Sequence, residues 1–272
     1  MTIKLGVIGH PIGHSKSPAI HDYWIEKYGL NATYEALDVR PDNLQTKLRR
    51  MIDQGYSGFN LTIPHKELVL ELCDQVDDIA KVIGAVNTIY LKDNKIYGTN
   101  TDAFGFIENI KQNAPDFDFK AGKAVVLGAG GAAKAIVHGL LRELTPEIYV
   151  LNRTRAKAEN LTNIHSECVI AQDWDERSEA LDGTNLLINT TSLGMRGQQP
   201  LDIDLSLLPE AALVTDIVYA PLITPLLQDA DQRGHNIVTG IGMLLHQARP
   251  AFQSWFDIMP EVDDELINRV LA

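Results

Sequence analysis

One stretch constrains this chain more than any other: Lys123-Ala-Val-Val-Leu-Gly-Ala-Gly-Gly-Ala-Ala-Lys-Ala-Ile-Val-His-Gly-Leu140. The unbroken apolar run 124–127 reads as a strand buried on both faces, the habit of parallel sheets. It feeds directly into Gly128-x-Gly130-x-x-Ala133 and then into an apolar-periodic helix. Gly128 permits the tight turn, Gly130 lets the backbone approach a pyrophosphate with no Cβ in the way, and Ala133 allows close helix–strand packing. The exposed amides and the helix dipole then favour a phosphate charge. By itself the motif would also suit a small-residue turn that merely packs a helix on a sheet. The flanking strand and helix, and a second strand over 148–151 at the proper distance, favour a dinucleotide site.

The end of that second strand speaks to which dinucleotide. A site for NAD places Asp or Glu there, to accept from the ribose 2′-hydroxyl. This chain instead has Asn152-Arg153-Thr154-Arg155-Ala156-Lys157, with no carboxylate and three cations. Cations at a helix start oppose the dipole unless an anion sits among them. Arginine can give a phosphate two parallel hydrogen bonds. The pattern predicts NADP, with Arg153 on the 2′-phosphate, Lys157 one turn along, and Arg155 as the alternative.

The rest of the chain fits an α/β protein. Strands are expected over 3–8, 33–37 and 58–62, with a hairpin pairing 85–91 to 95–98 across Asp93-Asn94. Helices are expected over 17–28, 41–51 and 102–112. The polar segment 113–122, with Pro115, reads as a connector. A second block follows: strands over 124–127, 148–151, 168–170, 186–188, 213–216 and 237–238, helices over 132–144, 154–161 and 224–232, and a helical tail over 240–255 and 260–271. At 272 residues this is one large or two modest domains. The net charge of −12 makes nucleic acid a poor partner, because affinity there comes largely from neutralised phosphates. Cys73 and Cys168 form no Cys-x-x-Cys, which argues against a disulfide scaffold or a cysteine zinc site. The opening MTIKLGVIGHP lacks the apolar length of a secretory leader, and no run approaches membrane-spanning length. A soluble cytoplasmic protein is expected.

Four further clusters are dense in Ser, Thr, Asn or Lys at strand ends: 9–18, 60–66, 84–88 and 98–102. In α/β sheets the ligand crevice lies outside the carboxyl ends of the strands. Ser15 and Ser17 precede a helix start, where a hydroxyl can cap the helix or help hold a carboxylate. Lys66 lies at a helix start, where a lysine is misplaced unless it faces an anion or ligand. Asp102 also opens a helix, a good capping position. Lys66 and Asp102 are nonetheless the best acid/base pair that these strand ends offer. His10 and His14 are four apart, but Pro11 and Gly13 bar a regular helix, and no acidic or cysteine cluster completes a metal site. No metal is expected.

Taken together these blocks resemble the shikimate dehydrogenase family, the shikimate/quinate dehydrogenases. The likeness covers nearly the whole chain in order: GHPIGHSKSPAIH, FNLTIPHK, GAVNTI, GTNTDAFG, GAGGAAKA, NRT, NTTSLGM, DIVYAPLITPLL and GIGMLLHQA. It implies a two-domain α/β protein with the active site in the cleft. Residues 1–102 and 240–272 would form a substrate domain and 103–239 a Rossmann-type NADP domain. The implied reaction is reversible reduction of 3-dehydroshikimate to shikimate by NADPH, a step of chorismate and aromatic amino-acid biosynthesis. The same resemblance implies that Ser15 and Ser17 bind the substrate carboxylate. Thr62, Lys66, Asn87, Asp102 and Gln247 would surround the ring hydroxyls and reacting oxygen, and Tyr219 would also reach the substrate. Gly128, Ala129, Gly130, Gly131, Ala132, Ala133, Asn152, Arg153, Thr154 and Lys157 would hold NADP. Thr190, Met195, Gly240 and Met243 would line its nicotinamide side. Asp22 stands where the family commonly has Asn, and Lys157 where Arg is common, so the charge survives without the bidentate fork.

The chemistry agrees. Carbonyl reduction needs a hydride and a proton for the developing alkoxide, and a cation with a paired carboxylate supplies the second without a metal. Which of Lys66 and Asp102 passes the proton stays open. The rival readings are a quinate/shikimate enzyme, with NADP or NAD, and a catalytically dead NADP-sensing module. Asn152-Arg153-Thr154 argues against NAD, while quinate against shikimate depends on pocket shape; the second reading conflicts with an intact Lys66 and Asp102. A monomer or homodimer is expected.

Overall fold

Period-two and buried apolar runs set down two six-stranded sheets, one in each half of the chain. The computed structural model describes residues 2–164 and 167–272. Backbone contacts divide the chain into two units. One comprises the chain up to Thr101 together with Leu245–Ala272, and the other is Asp102–Leu244. The expected boundaries lay at 102/103 and 239/240. The second observed boundary falls inside a helix, Ile241–Phe256, that runs on without a break.

The first unit contains β1 (Ile3–Gly9), α1 (Ser17–Lys27), β2 (Ala32–Asp38), α2 (Leu44–Asp53), β3 (Tyr56–Leu61), α3 (His65–Leu68), β4 (Gln75–Val76), α4 (Asp78–Ile83), β5 (Thr88–Lys92) and β6 (Lys95–Thr99). Its sheet runs β2-β1-β3-β5-β6-β4. The strands β1, β2 and β3 are parallel, and the β5–β6 hairpin joins antiparallel to β3. Asp93 and Asn94, predicted to turn the hairpin, both have positive φ (52° and 57°). That is the backbone of a type I′ turn, whose twist matches the strands. One face of the sheet buries Leu44, Leu48, Phe59, Leu61, Val69 and Ile89. Trp24 and Phe252, ring centroids 5.5 Å apart, pack together elsewhere in the unit, and Trp255 Nε1 donates to Ile89 O at 3.1 Å.

Two expectations need correction here. The first hairpin strand starts at Thr88 rather than 85, because residues 85–87 turn out of α4, where Gly84 closes the helix in the left-handed conformation (φ 72°). The helix α4 itself, with β4 before it, was not expected. Asp77 caps it by accepting from Ala80 N–H at 2.7 Å, but six residues leave too little periodicity to read.

The second unit contains α5 (Asp102–Asn113), β7 (Lys123–Leu127), α6 (Gly131–Arg142), β8 (Ile148–Leu151), α7 (Arg155–Ile164), β9 (Val169–Gln172), β10 (Thr184–Asn189), β11 (Leu213–Asp216), α8 (Pro225–Gln232) and β12 (Asn236–Val238). Its sheet runs β12-β11-β10-β7-β8-β9, every pair parallel. This is the doubly wound order with its switch point between β7 and β10. One face packs on α5 and α6 through Ile107, Ile110, Ile136 and Leu140, and the other on α8 through Leu226 and Leu227. The helices α9 (Ile241–Phe256) and α10 (Asp264–Leu271) end the chain. Among the described residues no helix is long and apolar enough to cross a membrane.

Candidate active site

In the first unit the predicted substrate residues gather at the carboxyl ends of β1 and β3. Thr62 N–H donates to Ile8 O at 3.0 Å and His10 N–H to Ile63 O at 3.1 Å, so the 9–17 loop and the 62–66 turn run side by side. A Cβ on Gly9 would strike the Thr62 methyl at 2.6 Å. Ser15 N–H closes the loop onto Ile12 O at 3.0 Å. Neither serine caps α1: the cap position is Lys16, with no side-chain cap bond, and Ser15 Oγ accepts from Ser17 N–H at 3.3 Å.

Lys66 sits in α3, half-buried, and its carbonyl accepts from Val86 N–H at 2.7 Å. That places it beside Asn87, whose own carbonyl accepts from Leu61 N–H at 2.8 Å. Thr101 hydroxyl donates to Gln247 O at 2.8 Å and ties the middle of the helix Ile241–Phe256 to the same cluster. Ser15, Ser17, Thr62, Lys66, Asn87 and Gln247 therefore belong to one unit. Asp102, 4% exposed, opens the other. His10 Nδ1 lies 2.6 Å from Asp38 Oδ1, and this contact holds the Asp38 carboxyl below its usual range. Among the described residues no group of three His, Cys, Asp or Glu could hold a metal ion.

In the second unit the glycine turn is built as the motif requires. Gly128 has φ +112°, and a Cβ there would collide with Thr190 Oγ1. Thr190 N–H and Oγ1–H both donate to Leu127 O, at 2.9 and 2.7 Å, and Gly128 N–H donates to Leu151 O at 2.7 Å. The turn thus meets the ends of both neighbouring strands. Gly130 and Gly131 are exposed, with nothing within 4 Å of a built Cβ, and α6 begins there. Ala129 and Ala133 are buried beneath the turn, and Ala132 is half-buried.

At the end of β8, Asn152 Nδ2 donates to Thr154 O at 2.9 Å and shapes the turn into α7. Arg153 and Lys157 are exposed and make no ion pair among the described residues. Arg155 is already spent: its guanidinium meets Asp173 Oδ2 at 2.6 Å and Glu159 Oε1 at 2.9 Å.

The residues expected on the nicotinamide side divide. Met195 is 40% exposed, whereas Met243 is 8% exposed and packed into the core with Ile107 and Ile136. Gly240 lies against the Ile217 backbone, where any Cβ would meet Ile217 O at 2.5 Å, so Tyr219 is only two residues from that contact. Tyr219 is half-buried, and burial pushes its hydroxyl pKa up.

A polar network that sequence reasoning left out organises this end. Asp216, fully buried at the end of β11, accepts from Asn189 Nδ2 at 3.0 Å, Thr224 Oγ1 at 2.8 Å and Val218 N–H at 2.9 Å. Burial pushes its carboxyl pKa up, against the pull of those donors. In the first unit Asn60, Thr88 and Thr101 were likewise missed as contributors. Their signal was polar residues inside or beside apolar strands, in blocks already singled out.

Family models match two segments: the shikimate dehydrogenase substrate binding domain over residues 7–89, and shikimate/quinate 5-dehydrogenase over residues 108–195. A shikimate dehydrogenase (NADP(+)) of Paracoccus denitrificans is 49% identical over 98% of this chain and 95% of its own. A crystal structure of shikimate 5-dehydrogenase from Thermus thermophilus, in complex with NADP(H) and shikimate, superposes with a TM-score of 0.88. It is 36% identical and covers 99% of both chains. Quinate dehydrogenase from Corynebacterium glutamicum, in complex with NAD, superposes with a TM-score of 0.92 at 29% identity, again over 99% of both chains.

Proposed function

The chain belongs to the shikimate dehydrogenase family, and from that premise we propose how its own residues divide the work of an NADP-dependent reduction of 3-dehydroshikimate to shikimate. It is an oxidoreductase, and the reaction stands in aromatic amino-acid biosynthesis. In our reading the first unit is the substrate domain and the second the NADP domain.

The second unit has the features that NADP requires. The turn after β7 leaves open space over Gly130 and Gly131 at the exposed start of α6, where backbone amides and the helix dipole favour a pyrophosphate. Arg153 and Lys157 are exposed cations without an ion pair among the described residues, where an NAD site would carry an acid. Asn152, Thr154 and the Gly128–Ala133 turn would complete that site, with Thr190, Met195, Gly240 and Met243 on the nicotinamide side. NADPH, when bound, supplies the hydride.

The protein's part is orientation and proton transfer. Ser15 and Ser17 donate to the substrate carboxylate. Thr62, Asn87 and Gln247 hold the ring hydroxyls, and Tyr219 also reaches the substrate. Lys66 Nζ donates to the reacting oxygen and stabilises the negative charge that develops on it as the carbonyl is reduced. Asp102 serves with Lys66 as the acid/base pair that exchanges a proton with the reacting oxygen. The observation that supports this reading is the backbone bond from Val86 N–H to Lys66 O, which brings the Lys66 turn beside the Val86-Asn87 backbone.

One assay tests the activity: NADPH absorbance with shikimate and with quinate, each with NADP and with NAD. Turnover should be fastest for shikimate with NADP. A quinate/NAD preference, the activity pairing of the Corynebacterium relative, would overturn the assignment of substrate and cofactor together. We further place the protein in the cytoplasm, on its two lone cysteines and acidic composition, and read it as a monomer or homodimer, which light scattering would decide.

A further inference from the structure

Two turns that carry candidate cofactor residues in the second unit are built on one buried carboxylate. The first, 190–196, follows β10 and carries Thr190 and Met195. The second, 217–224, follows β11, and its Ile217 backbone bounds the space beside Gly240. Asn189 ends β10, Asp216 ends β11 and Thr224 caps α8, and all three are 0% exposed. Out of reach of solvent, their polar atoms must find partners in the protein.

Each hydrogen bond in the group has a defined direction. Asn189 Oδ1 accepts from Thr191 N–H at 3.0 Å, and a backbone N–H can only donate, so the opposite end of the amide is the nitrogen. The Thr191 hydroxyl gives its proton to the same oxygen at 2.7 Å and accepts from Leu193 N–H at 3.1 Å. Asn189 Nδ2 donates to Leu193 O at 3.1 Å and to Asp216 Oδ2 at 3.0 Å. The amide is thereby saturated, one end wrapped by the first turn and the other resting on the carboxylate. Asp216 Oδ1 accepts from Val218 N–H at 2.9 Å, at the start of the second turn. Asp216 Oδ2 also takes the Thr224 hydroxyl proton at 2.8 Å, where that turn ends. Backbone bonds from Ile217 N–H to Asn189 O at 3.1 Å and from Arg196 N–H to Ala220 O at 2.9 Å join the same two turns.

We infer that Asp216 is a positioning residue of the cofactor site: its carboxylate ties the 190–196 turn, through Asn189, to both ends of the 217–224 turn, and so sets where the nicotinamide half of NADP(H) is held for hydride transfer. This rests on the reading of Thr190, Met195 and Gly240 as the nicotinamide side of that site. The adenosine half is assigned to Arg153 and Lys157 beyond the end of β8, with β7 between that strand and β10.

Asp216→Asn is the direct test. An asparagine amide accepts at one end only, so either setting faces the N–H of Val218 or of Asn189 with another N–H. The two turns lose their common anchor while the side-chain volume stays. With the nicotinamide half loosened, kcat should fall about tenfold or more, and the KM for NADPH should rise about three- to tenfold. The Kd of adenosine 2′,5′-bisphosphate, the probe for the other half of the cofactor, should stay within about twofold. So should the ratio of kcat/KM between NADP and NAD, which share the nicotinamide. Thr224→Val removes one of the three donors and should move kcat and KM in the same directions by about two- to fivefold, with Thr224→Ser restoring both. Met195→Ala leaves the network intact and should raise the KM for NADPH about three- to tenfold.

Unchanged kcat and KM in Asp216→Asn, beside a raised KM in Met195→Ala, overturn the positioning role and leave the first turn a cofactor contact. A kcat that falls only in step with the folded fraction in thermal melts, at the wild-type KM, makes Asp216 a stabilising residue and also overturns the role. A bisphosphate Kd that rises together with the KM for NADPH means that the whole cofactor site is disturbed, and overturns it equally. An unchanged KM in Met195→Ala removes the nicotinamide-side reading of this turn and the inference with it. Should Asp216→Asn fail to fold, the Thr224 pair decides: a KM raised in Thr224→Val and restored by serine sustains the role, and an unchanged KM overturns it.

Discussion

Cofactor choice in this chain comes down to which cations are unspent. Arg155 has two carboxylates, Asp173 and Glu159, on its guanidinium, while Arg153 and Lys157 have none among the described residues. The sequence shows three cations and cannot tell a committed one from an available one, since Asp173 lies at the end of another strand. Arg153→Ala should lower kcat/KM for NADP by about ten- to a hundredfold, the worth of a charged hydrogen bond to phosphate, and leave NAD nearly unchanged. Arg155→Ala should leave the NADP/NAD ratio within about twofold, since an exposed ion pair carries little energy. A constant ratio in Arg153→Ala, measured as kcat/KM for both cofactors, would place the 2′-phosphate contact elsewhere. At the other end of the reaction, Lys66→Ala should reduce kcat by about 10²–10⁴-fold and barely move cofactor affinity. Asp102→Asn should do much the same, and the double variant should cost far less than the product of the two. A kcat within a few-fold of wild type would remove Lys66 from the chemistry.

At the level of elements, loops are held to strand ends by polar side chains that are buried only because the fold brings them together. Thr224 shows the economy of this: one hydroxyl donates to Asp216 Oδ2 at 2.8 Å and accepts from Leu227 N–H at 3.4 Å, capping α8. Thr224→Val should destabilise the protein by about 1–3 kcal/mol, the sum of a lost cap and a lost bond to a buried carboxylate. Urea unfolding followed by far-UV dichroism measures it, and a midpoint equal to wild type would mean that the network is dispensable. The same distinction explains what could be read in advance. The strand–turn–helix from Lys123 and the Asp93-Asn94 hairpin turn were legible because local residues alone dictate them. The six-residue helix α4 and two-residue strand β4 are too short for a period and are fixed by a cap and a neighbouring strand. In the site, Ser15, Lys66 and Asn87 stood out as polar residues at strand ends. Asn60, Thr88 and Asp216 did not, because a polar residue in an apolar run reveals its role only once its partners are known. Of the two uses open to Ser15 and Ser17, the structure shows no side-chain cap on α1, and the loop before it is closed by backbone bonds.

For the molecule as a whole, the buried histidines set how stability responds to acid. His21 is 0% exposed, stacked on Tyr34 at 4.3 Å between ring centroids, with Trp24, Phe252 and Trp255 around it. Among the described residues neither ring nitrogen has a hydrogen-bond partner, and the pull of the Asn60 amide toward the charged form is smaller than the cost of burial. Burial drives the imidazole down from 6.5 to about 3. Between those values the unfolded chain binds a proton that the folded chain refuses, so stability must rise with pH across that window. The contribution is fully present above about 6.5 and is lost as pH falls toward 3. Between pH 7 and pH 5 the loss from this one residue should be about 2 kcal/mol, at 1.36 kcal/mol per unit of pH below the unfolded value. His246, lowered to about 4 by burial and then by Arg249, acts in the same direction. The test is the change in unfolding free energy between the two pH values, not the free energy itself. His21→Leu loses some stacking and is less stable at both, but it carries nothing to protonate. Its pH 7 to pH 5 loss should therefore be about 2 kcal/mol smaller than that of wild type, with His246 and the buried His65, whose imidazole burial also lowers, contributing to what remains. Tryptophan fluorescence follows the transition, because Trp24 and Trp255 flank the ring. Equal losses in variant and wild type would mean that His21 reaches solvent or finds a partner when acid is added, and that the aromatic cage around it opens well before the fold is lost.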